Sequence, residues 1–466
     1  MKRTKIVATI GPASQNEKTL SEIIKNGVNV CRLNFSHGNL IQKKEAIELI
    51  RKVSLKLKIP VAILADLPGP KIRLGEIDGI FKIKKGDILT FGMNGQVHLP
   101  IQFDFSNDVK DGQKMYLNDA LIALTILKTK DGVITAKALN NGWVTSRKGI
   151  NLPETIFKSN TFTKEDRESA VFAIKENCDF IAISFVQSSS DIKPLRELLT
   201  KEKSKIKIIS KIETPQAVTN IEELIRDSDA IMIARGDLAI ETSPAEVPLI
   251  QQKIIVLSRQ YQKPVIVATQ MLESMIDNPR PTRAEASDVA NAVLSQVDAV
   301  MLSAESASGN FPIETVKTMT SIINAVEANP EYKRYIKINW EKININDLNF
   351  NAIVSASASL AYRLKSPIIG VGTVTGKIAR QLSSFRPSSE IVAYTHNEMI
   401  SRQLLLSWGV IPIIIDDKFE SHSFDKVMTE SIIKNKLTRR GNTVILVWGS
   451  KIGTSGTTDT IRIVKI

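Results

Sequence analysis

Residues 207–241 read KIISKIETPQAVTNIEELIRDSDAIMIARGDLAIE. Two short apolar runs, KIIS (207–210) and AIMIA (230–234), bracket a longer helix-like stretch. Runs that stay apolar at successive positions suit strands buried on both faces, as in a parallel sheet covered by helices. The same unit recurs on either side, in KIVATI (5–10), VNVCRL (28–33), VAILA (61–65), DFIAIS (179–184), VIVAT (265–269) and AVMLS (299–303). Helix-like segments such as 17–26, 164–177, 248–262 and 284–295 separate them. Eight such units predict a closed (β/α)8 TIM barrel.

One interval breaks the rhythm. Between Leu67 and about Phe157 short strand-like runs alternate with turn signals: Lys85-Gly86-Asp87, Asn94-Gly95, Lys110-Asp111-Gly112, Asp131-Gly132 and Asn140-Asn141-Gly142. That pattern predicts an all-β domain over residues 69–157, inserted after the third barrel strand. The barrel is then 1–68 and 158–330, close to the ~250 residues usual for this fold. A lysine- and asparagine-rich connector follows over 331–350. Strand-like and helix-like stretches then resume (353–364, SPIIGV, 376–384, EIVAYT, 401–408, VIPIII, TVILVW, IRIVKI), predicting a C-terminal open α/β domain over 351–466.

Composition bounds the function. The chain has 466 residues, 43% hydrophobic and 24% charged, which are globular values. Apolar runs such as 410–415 fall far short of the ~20 residues of a membrane span. Lys5 and the early Gly11-Pro12 leave no room for the apolar segment of a signal peptide. Cys31 and Cys178 stand in apolar runs with no Cys/His cluster, so a zinc site is not expected and a reduced, cytoplasmic setting is. The net charge of +13 comes from lysines spread along the chain, without a nucleic-acid motif. No nucleic-acid or membrane partner is expected.

In such barrels chemistry sits at the C-terminal ends of the strands. Polar residues crowd those ends: Thr9-Ile10-Gly11-Pro12, Arg32 to Gly38, Asp66, Lys211-Ile212-Glu213, Arg235-Gly236-Asp237, Thr269-Gln270 and Ser303-Ala304-Glu305. Glu213 and Asp237, on neighbouring strand ends, suit Mg²⁺, which completes its shell with water and substrate oxygens. Lys211, two residues before Glu213, is placed to stabilise an oxyanion. Gly236 and Asp237 precede an apolar turn and a helix start, where backbone N–H groups can hold a carboxylate or phosphate; a simple tight turn fits Gly236 equally.

These residues coincide with a known pattern. The chain resembles the pyruvate kinase family through KIVATIGPAS (5–14), NVCRLNFSHG (29–38), GPKIR (69–73), KGINLP (148–153), SKIETPQAV (210–218), IMIARGDLAIE (231–241), VIVATQMLESM (265–275), PRPTRAEASDVANAV (279–293) and GTTDTIRIVKI (456–466). The resemblance implies phosphoryl transfer from phosphoenolpyruvate to ADP, with Mg²⁺ as cofactor. It makes Arg32 a phosphate-binding residue and Lys211 the stabiliser of the transferring phosphoryl and developing enolate. It makes Glu213 and Asp237 the Mg²⁺ ligands, and Gly236, Asp237 and Thr269 the holders of the substrate carboxylate. Thr269 is also set near the enolate carbon that takes a proton. Asn34, His37, Arg73 and Lys148 become nucleotide contacts, with the inserted domain as a lid. The family's habit of homotetramers carries over, as does an effector phosphate site, here over Thr373, Thr375, Gly376 and Lys377.

Departures from the family pattern matter. Leu67 and Lys71 stand where the family commonly has threonine and glutamate, and Ala239 and Ala304 where it commonly has glycine. Asn34, Ser36, Asp66 and the residue at 67 resemble the family's monovalent-cation region. A lysine at 71 carries its own positive charge, so K⁺ is not expected to be required. Two other readings compete: a Mg²⁺ barrel for aldol or lyase chemistry on pyruvate, and a basic, inactive binding protein. The Arg32–His37 segment and Lys148 argue against the first; the intact set Arg32, Lys211, Glu213, Asp237 and Thr269 argues against the second.

Overall fold

The computed structural model describes residues 2–70, 72–93, 97–157, 162–330, 332, 348–415, 424–449 and 458–466. Lys71, the Asn94-Gly95 turn, the start of the second barrel segment at 158, most of the 331–350 connector and residues 456 and 457 lie outside them.

The chain forms β1 (Lys5–Thr9), β2 (Val30–Asn34) and β3 (Ala62–Asp66) and then makes its excursion. The excursion comprises β4 (Phe81–Ile83), β5 (Ile88–Gly92), β6 (Leu99–Pro100), β7 (Lys114–Leu117), β8 (Ile122–Lys130), β9 (Val133–Ala138), β10 (Gly142–Val144) and β11 (Ile150–Asn151). It returns to β12 (Phe180–Ile183), β13 (Lys207–Ile212), β14 (Ala230–Ala234), β15 (Val265–Ala268) and β16 (Ala299–Leu302). The strands β1, β2, β3 and β12 to β16 close into one parallel barrel, β1 pairing with both β2 and β16. The excursion builds a six-stranded sheet, order β11-β7-β8-β9-β5-β6, and a β10-β4 pair around a core of its own.

The apolar runs predict strands because both faces are buried, and the two faces differ. Val7, Val30, Leu64, Ile209, Met232, Ile266 and Met301 fill the barrel interior. Their neighbours Ile6, Cys31, Ile63, Ile208, Ile231, Val267 and Val300 face the helical shell. This is the period-two alternation of a strand with no solvent side. Helix starts are written locally: Thr163 with Asp166 and Thr282 with Glu285 each form a capping box.

The C-terminal sheet runs β19-β18-β17-β20-β21, made of β17 (Ile368–Gly372), β18 (Glu390–Thr395), β19 (Val410–Ile414), β20 (Thr443–Gly449) and β21 (Thr458–Lys465). Two details correct the sequence reading. The helix expected over 401–408 runs over Glu398–Leu404, because Leu405 and Leu406 leave it to join the apolar core inside the barrel. The helix Phe424–Lys434 had no sequence expectation. Among the described residues no helix is long and apolar enough to cross a membrane.

Candidate functional site

Arg32 and Asp66 sit at the ends of adjacent strands, β2 and β3. Arg32 Nε lies 2.7 Å and Nη2 2.5 Å from Asp66 Oδ2, and Nη1 donates to Thr9 Oγ1 at 2.9 Å. Three of its five N–H donors are used, which leaves two to meet an anion. Lys211, near the end of β13, places Nζ 2.9 Å from Glu213 Oε1, 3.5 Å from Asp66 Oδ1 and 3.0 Å from Ser184 Oγ. The cluster is thus two cations and two carboxylates at one barrel mouth.

Burial sets its electrostatics. Asp66 and Glu213 are almost fully buried. For Asp66 burial alone favours the neutral acid, but Lys211 and Arg32 outweigh it and hold the carboxyl below its ordinary range. For Glu213 burial wins: its pKa rises against the pull of Lys211, with Asp237 adding to the rise. Lys211 would lose its proton to burial, but Asp66 and Glu213 keep it firmly charged. The lysine is therefore a fixed positive charge, not a proton donor.

Asp66 Oδ1 and Glu213 Oε1 are buried acceptors without a hydrogen-bond partner. Lys211 is an ion-pair neighbour of both, Nζ 3.5 Å from the first and 2.9 Å from the second. The other oxygen of Glu213 accepts the Phe185 N–H at 2.7 Å. Buried orphan oxygens call for an explanation, and a hard cation is one. A divalent ion held by Glu213 and Asp237 fits this donor set: oxygen only, two carboxylates, the rest of the shell open. No group of three His, Cys, Asp or Glu among the described residues could hold an ion unaided.

Gly236 and Thr269 meet as the sequence suggested. The Gly236 N–H donates to Thr269 Oγ1 at 2.8 Å. Thr269 and Gln270 follow β15 in the left-handed region, at φ 66° and 53°, a costly conformation for a β-branched residue and one that often marks a working site. Arg235 explains how it is held. Rather than facing the mouth, this 8% exposed guanidinium donates to the Thr269 and Gln270 carbonyls and pairs with Asp288 at 2.6 Å. The helix also begins at Arg235, earlier than the turn expected after Asp237. Glu305 is likewise structural, accepting from Ser303 N and Leu272 N.

Of the residues assigned to the nucleotide, Asn34 Oδ1 accepts from Ser36 N at 3.1 Å, His37 is exposed and Arg73 Nη1 donates to the Arg147 carbonyl. The Lys148 carbonyl accepts from Leu74 N. Ser184 escaped the sequence reading although it ends the fourth barrel strand, the one strand end left out of the rim. Its hydroxyl accepts from Lys211 and donates to the Leu67 carbonyl at 2.9 Å. Gly69 makes room for it: φ is +69°, and a Cβ there would lie 2.6 Å from Ser184 Cβ. Glu241 escaped too. Buried in the barrel, it accepts from Asn151 Nδ2 of β11 at 2.8 Å, so it clasps the inserted domain. Burial raises its pKa to about 7, Asp237 and Glu213 adding to the rise and the bonds from Asn151 and the Leu152 N–H opposing it.

A closed barrel with a caged lysine, an arginine with free donors and two undercoordinated carboxylates at its mouth defines an enzyme for anionic substrates. Comparison with known proteins narrows the class. Residues 1–316 match the model of the pyruvate kinase barrel domain and residues 351–464 that of the pyruvate kinase alpha/beta domain. Proteins named pyruvate kinase from Staphylococcus saprophyticus and Staphylococcus epidermidis are each 39% identical over 99% of this chain and 80% of their own length. The crystal structure of a pyruvate kinase from Cryptosporidium parvum superposes with a TM-score of 0.94 at 32% identity, covering all of this chain and 96% of that one. The chain belongs to the pyruvate kinase family.

Proposed function

We propose that the chain transfers a phosphoryl group from phosphoenolpyruvate to ADP, giving pyruvate and ATP, with Mg²⁺ as cofactor. One observation carries the reading: Lys211 is held charged between Asp66 and Glu213, next to an arginine with donors to spare. Phosphoryl transfer asks the protein mainly for position and charge neutralisation.

The two remaining Arg32 N–H groups grip the phosphate of phosphoenolpyruvate, and Asp66 fixes the guanidinium plane. Lys211 Nζ exchanges carboxylate contacts for the travelling phosphoryl and for the enolate oxygen as charge develops there. Gly236 N and Thr269 Oγ1, now bonded to each other, separate to hold the substrate carboxylate, with Asp237 beside them. Thr269 then borders the enolate carbon that receives a proton. Glu213 and Asp237 would hold a Mg²⁺, which supplies Lewis-acid charge when bound. Asn34, His37, Arg73 and Lys148 contact the nucleotide, and the inserted β-domain shuts water out as a lid.

K⁺ is not required in this reading. Both Asp66 oxygens face cations, Oδ2 the Arg32 guanidinium and Oδ1 the Lys211 ammonium, the Leu67 carbonyl accepts from Ser184, and Asn34 Oδ1 accepts from Ser36 N, so a monovalent ion would compete with two fixed positive charges and with these bonds. The enzyme works as a cytoplasmic homotetramer, and an effector phosphate binds at Thr373, Thr375, Gly376 and Lys377. In support, the helix Lys377–Ser384 starts after Gly376 at φ +74°, an N-cap residue with no side chain of its own to bond the first turn. Pyruvate release in the presence and absence of ADP tests the central reaction. ADP-independent release would favour lyase chemistry and overturn the proposal.

A further inference from the structure

The chain holds a second concentration of positive charge at the other end of the barrel, outside the catalytic mouth. A cleft of about 430 Å³ opens there between the barrel and the C-terminal domain. Its barrel wall includes Arg196 from the helix Lys193–Lys201, with Lys205 and Lys207 at the start of β13. Its other wall includes Thr375, His396 and Asn397, from the turns after β17 and β18. None of the residues lining it is acidic.

The charge continues behind the wall. Asp229 accepts from Arg196 Nη1 at 2.8 Å and from Lys207 Nζ at 3.2 Å. It also accepts the Ile208 N–H, so the carboxylate is fully used in joining strands. Lys263 is tied to the Arg226 and Ser228 carbonyls and has no carboxylate of its own. Burial holds it below the ordinary lysine value, and the positive charges of Arg196, Arg380 and Lys207 hold it lower, against the pull of Asp229. Arg380 lies behind Thr375: a Cβ on Gly376 would meet its Nη1 at 2.6 Å. Among the described residues four cations (Arg196, Lys207, Lys263 and Arg380) therefore gather round the one carboxylate of Asp229, with Lys205 on the same wall of the cleft.

We infer that this cleft binds a small phosphorylated anion, which bridges the barrel and the C-terminal domain. Packing like charges side by side in a partly dehydrated cleft is unfavourable without a counter-charge. The volume lies within the range of small-molecule sites. Arginine and lysine beside a hydroxyl and an amide are the usual partners of phosphate oxygens. The cleft meets the 373–377 turn only through Val374 and Thr375, and the cations that line it come from the barrel. It also shares a strand with the chemistry: β13 carries Lys207 at the cleft and Lys211 at the mouth.

Calorimetric titration of the full chain with pyrophosphate, at ionic strength matched with chloride, tests the inference. Lys205 is suited to substitution, because it is exposed and it is its carbonyl that accepts from Gln403. Lys205→Glu and His396→Asp, one on each wall, should each weaken binding tenfold or more. Lys164→Glu, at a lysine side chain 92% exposed elsewhere, should stay within twofold of the parent. Parent affinity in Lys205→Glu would show that the probe binds elsewhere, at the mouth or at the 373–377 turn, and would overturn the inference. An unchanged His396→Asp removes the two-walled site, and an equal loss in Lys164→Glu reduces the effect to net charge. Absence of binding to the parent at 10-fold molar excess over millimolar protein also refutes it.

Discussion

The two ends of the barrel bury charge in opposite ways. At the base, Asp179, Asp229 and Asp298 each stand one residue before a strand and each accept a backbone N–H of the neighbouring strand: Ile63, Ile208 and Val265. Asp179 also takes Arg51 and Arg402, and Asp298 takes Arg386 and the Trp408 N–H. Arg402, Arg386 and Trp408 belong to the C-terminal domain, so these carboxylates lock it to the barrel while Leu405 and Leu406 plug the interior. At the mouth, Asp66 and Glu213 each keep a buried oxygen with no hydrogen-bond partner. The base spends its carboxylates on structure; the mouth holds them ready for a ligand.

Removing one partner at the base should produce the largest loss of stability. Arg386→Met leaves Asp298 buried without its cation, a change that costs about 3–5 kcal/mol. Urea unfolding should show a clearly lowered midpoint, with the kcat of the folded enzyme changed less than severalfold. A collapse of kcat with an unmoved midpoint would erase the contrast between the ends. At the mouth the order reverses. Lys211→Met should lower kcat by ~10²–10³, the cost of losing one oxyanion donor. A near-normal kcat would remove Lys211 from the chemistry.

The metal sharpens the same contrast. Glu213→Gln and Asp237→Asn should each raise the Mg²⁺ concentration for half-maximal rate, by at least the ~10–100-fold that follows loss of a ligand's supporting partner. Unchanged Mg²⁺ titrations in both variants would break the pairing. Glu241 gives a pH readout. Its folded pKa, about 7, lies above the 4.5 of an ordinary glutamate. Protonated Glu241 therefore stabilises the fold fully below about pH 4.5, and that contribution is lost as pH rises through about 7. At 1.36 kcal/mol per unit the loss is about 1–3 kcal/mol. Glu241→Gln should flatten the stability profile between pH 4.5 and 7 and be more stable than the parent at pH 8. Parallel profiles would show that Glu241 does not titrate in that window.

The barrel was legible because each strand carries successive apolar residues through its middle, and observed strands begin or end within two residues of the apolar runs. That Arg32, Asp66, Lys211 and Glu213 lie together was legible because strand ends gather at one rim whatever their spacing in the chain. What sequence could not supply was direction. Arg235 and Glu305 sit at the same rim as Lys211, yet they turn inward to brace Thr269 and Leu272. Ser184 follows the strand-end rule and was missed because a lone serine after an apolar run has no charge to draw attention. The three base aspartates look like loop acids until the register shows whose N–H each receives. Helix 401–408 was read too long because Leu405 and Leu406 continue its apolar pattern while packing into another domain.

The smallest expected effect concerns potassium, and it tests how full the mouth already is. Asn34, Ser36, Asp66 and the residue 67 carbonyl resemble the family's monovalent-cation region. Here Asp66 faces two cations, Arg32 at 2.5 Å and Lys211 at 3.5 Å. The Leu67 carbonyl is taken by the Ser184 hydroxyl, and Asn34 Oδ1 by the Ser36 N–H. A monovalent ion would have to displace these bonds and sit against both positive charges. Lys71, whose placement lies outside the described residues, is three positions after Pro68 and two before Arg73, and its ammonium adds a permanent charge to the same segment. Coulomb repulsion between unit charges a few ångströms apart costs about 1–4 kcal/mol at the dielectric of a protein surface, more than an ion gains from oxygens already in use. The rate with Mg²⁺ alone, in a buffer free of sodium and potassium, should therefore lie within about twofold of the rate with added potassium, under ~0.5 kcal/mol in barrier terms. Lys71→Glu should create a dependence on potassium. A parent rate that climbs tenfold or more with potassium would mean that the carboxylate at 66 still has room for a second cation, and that the mouth is emptier than its ion pairs imply.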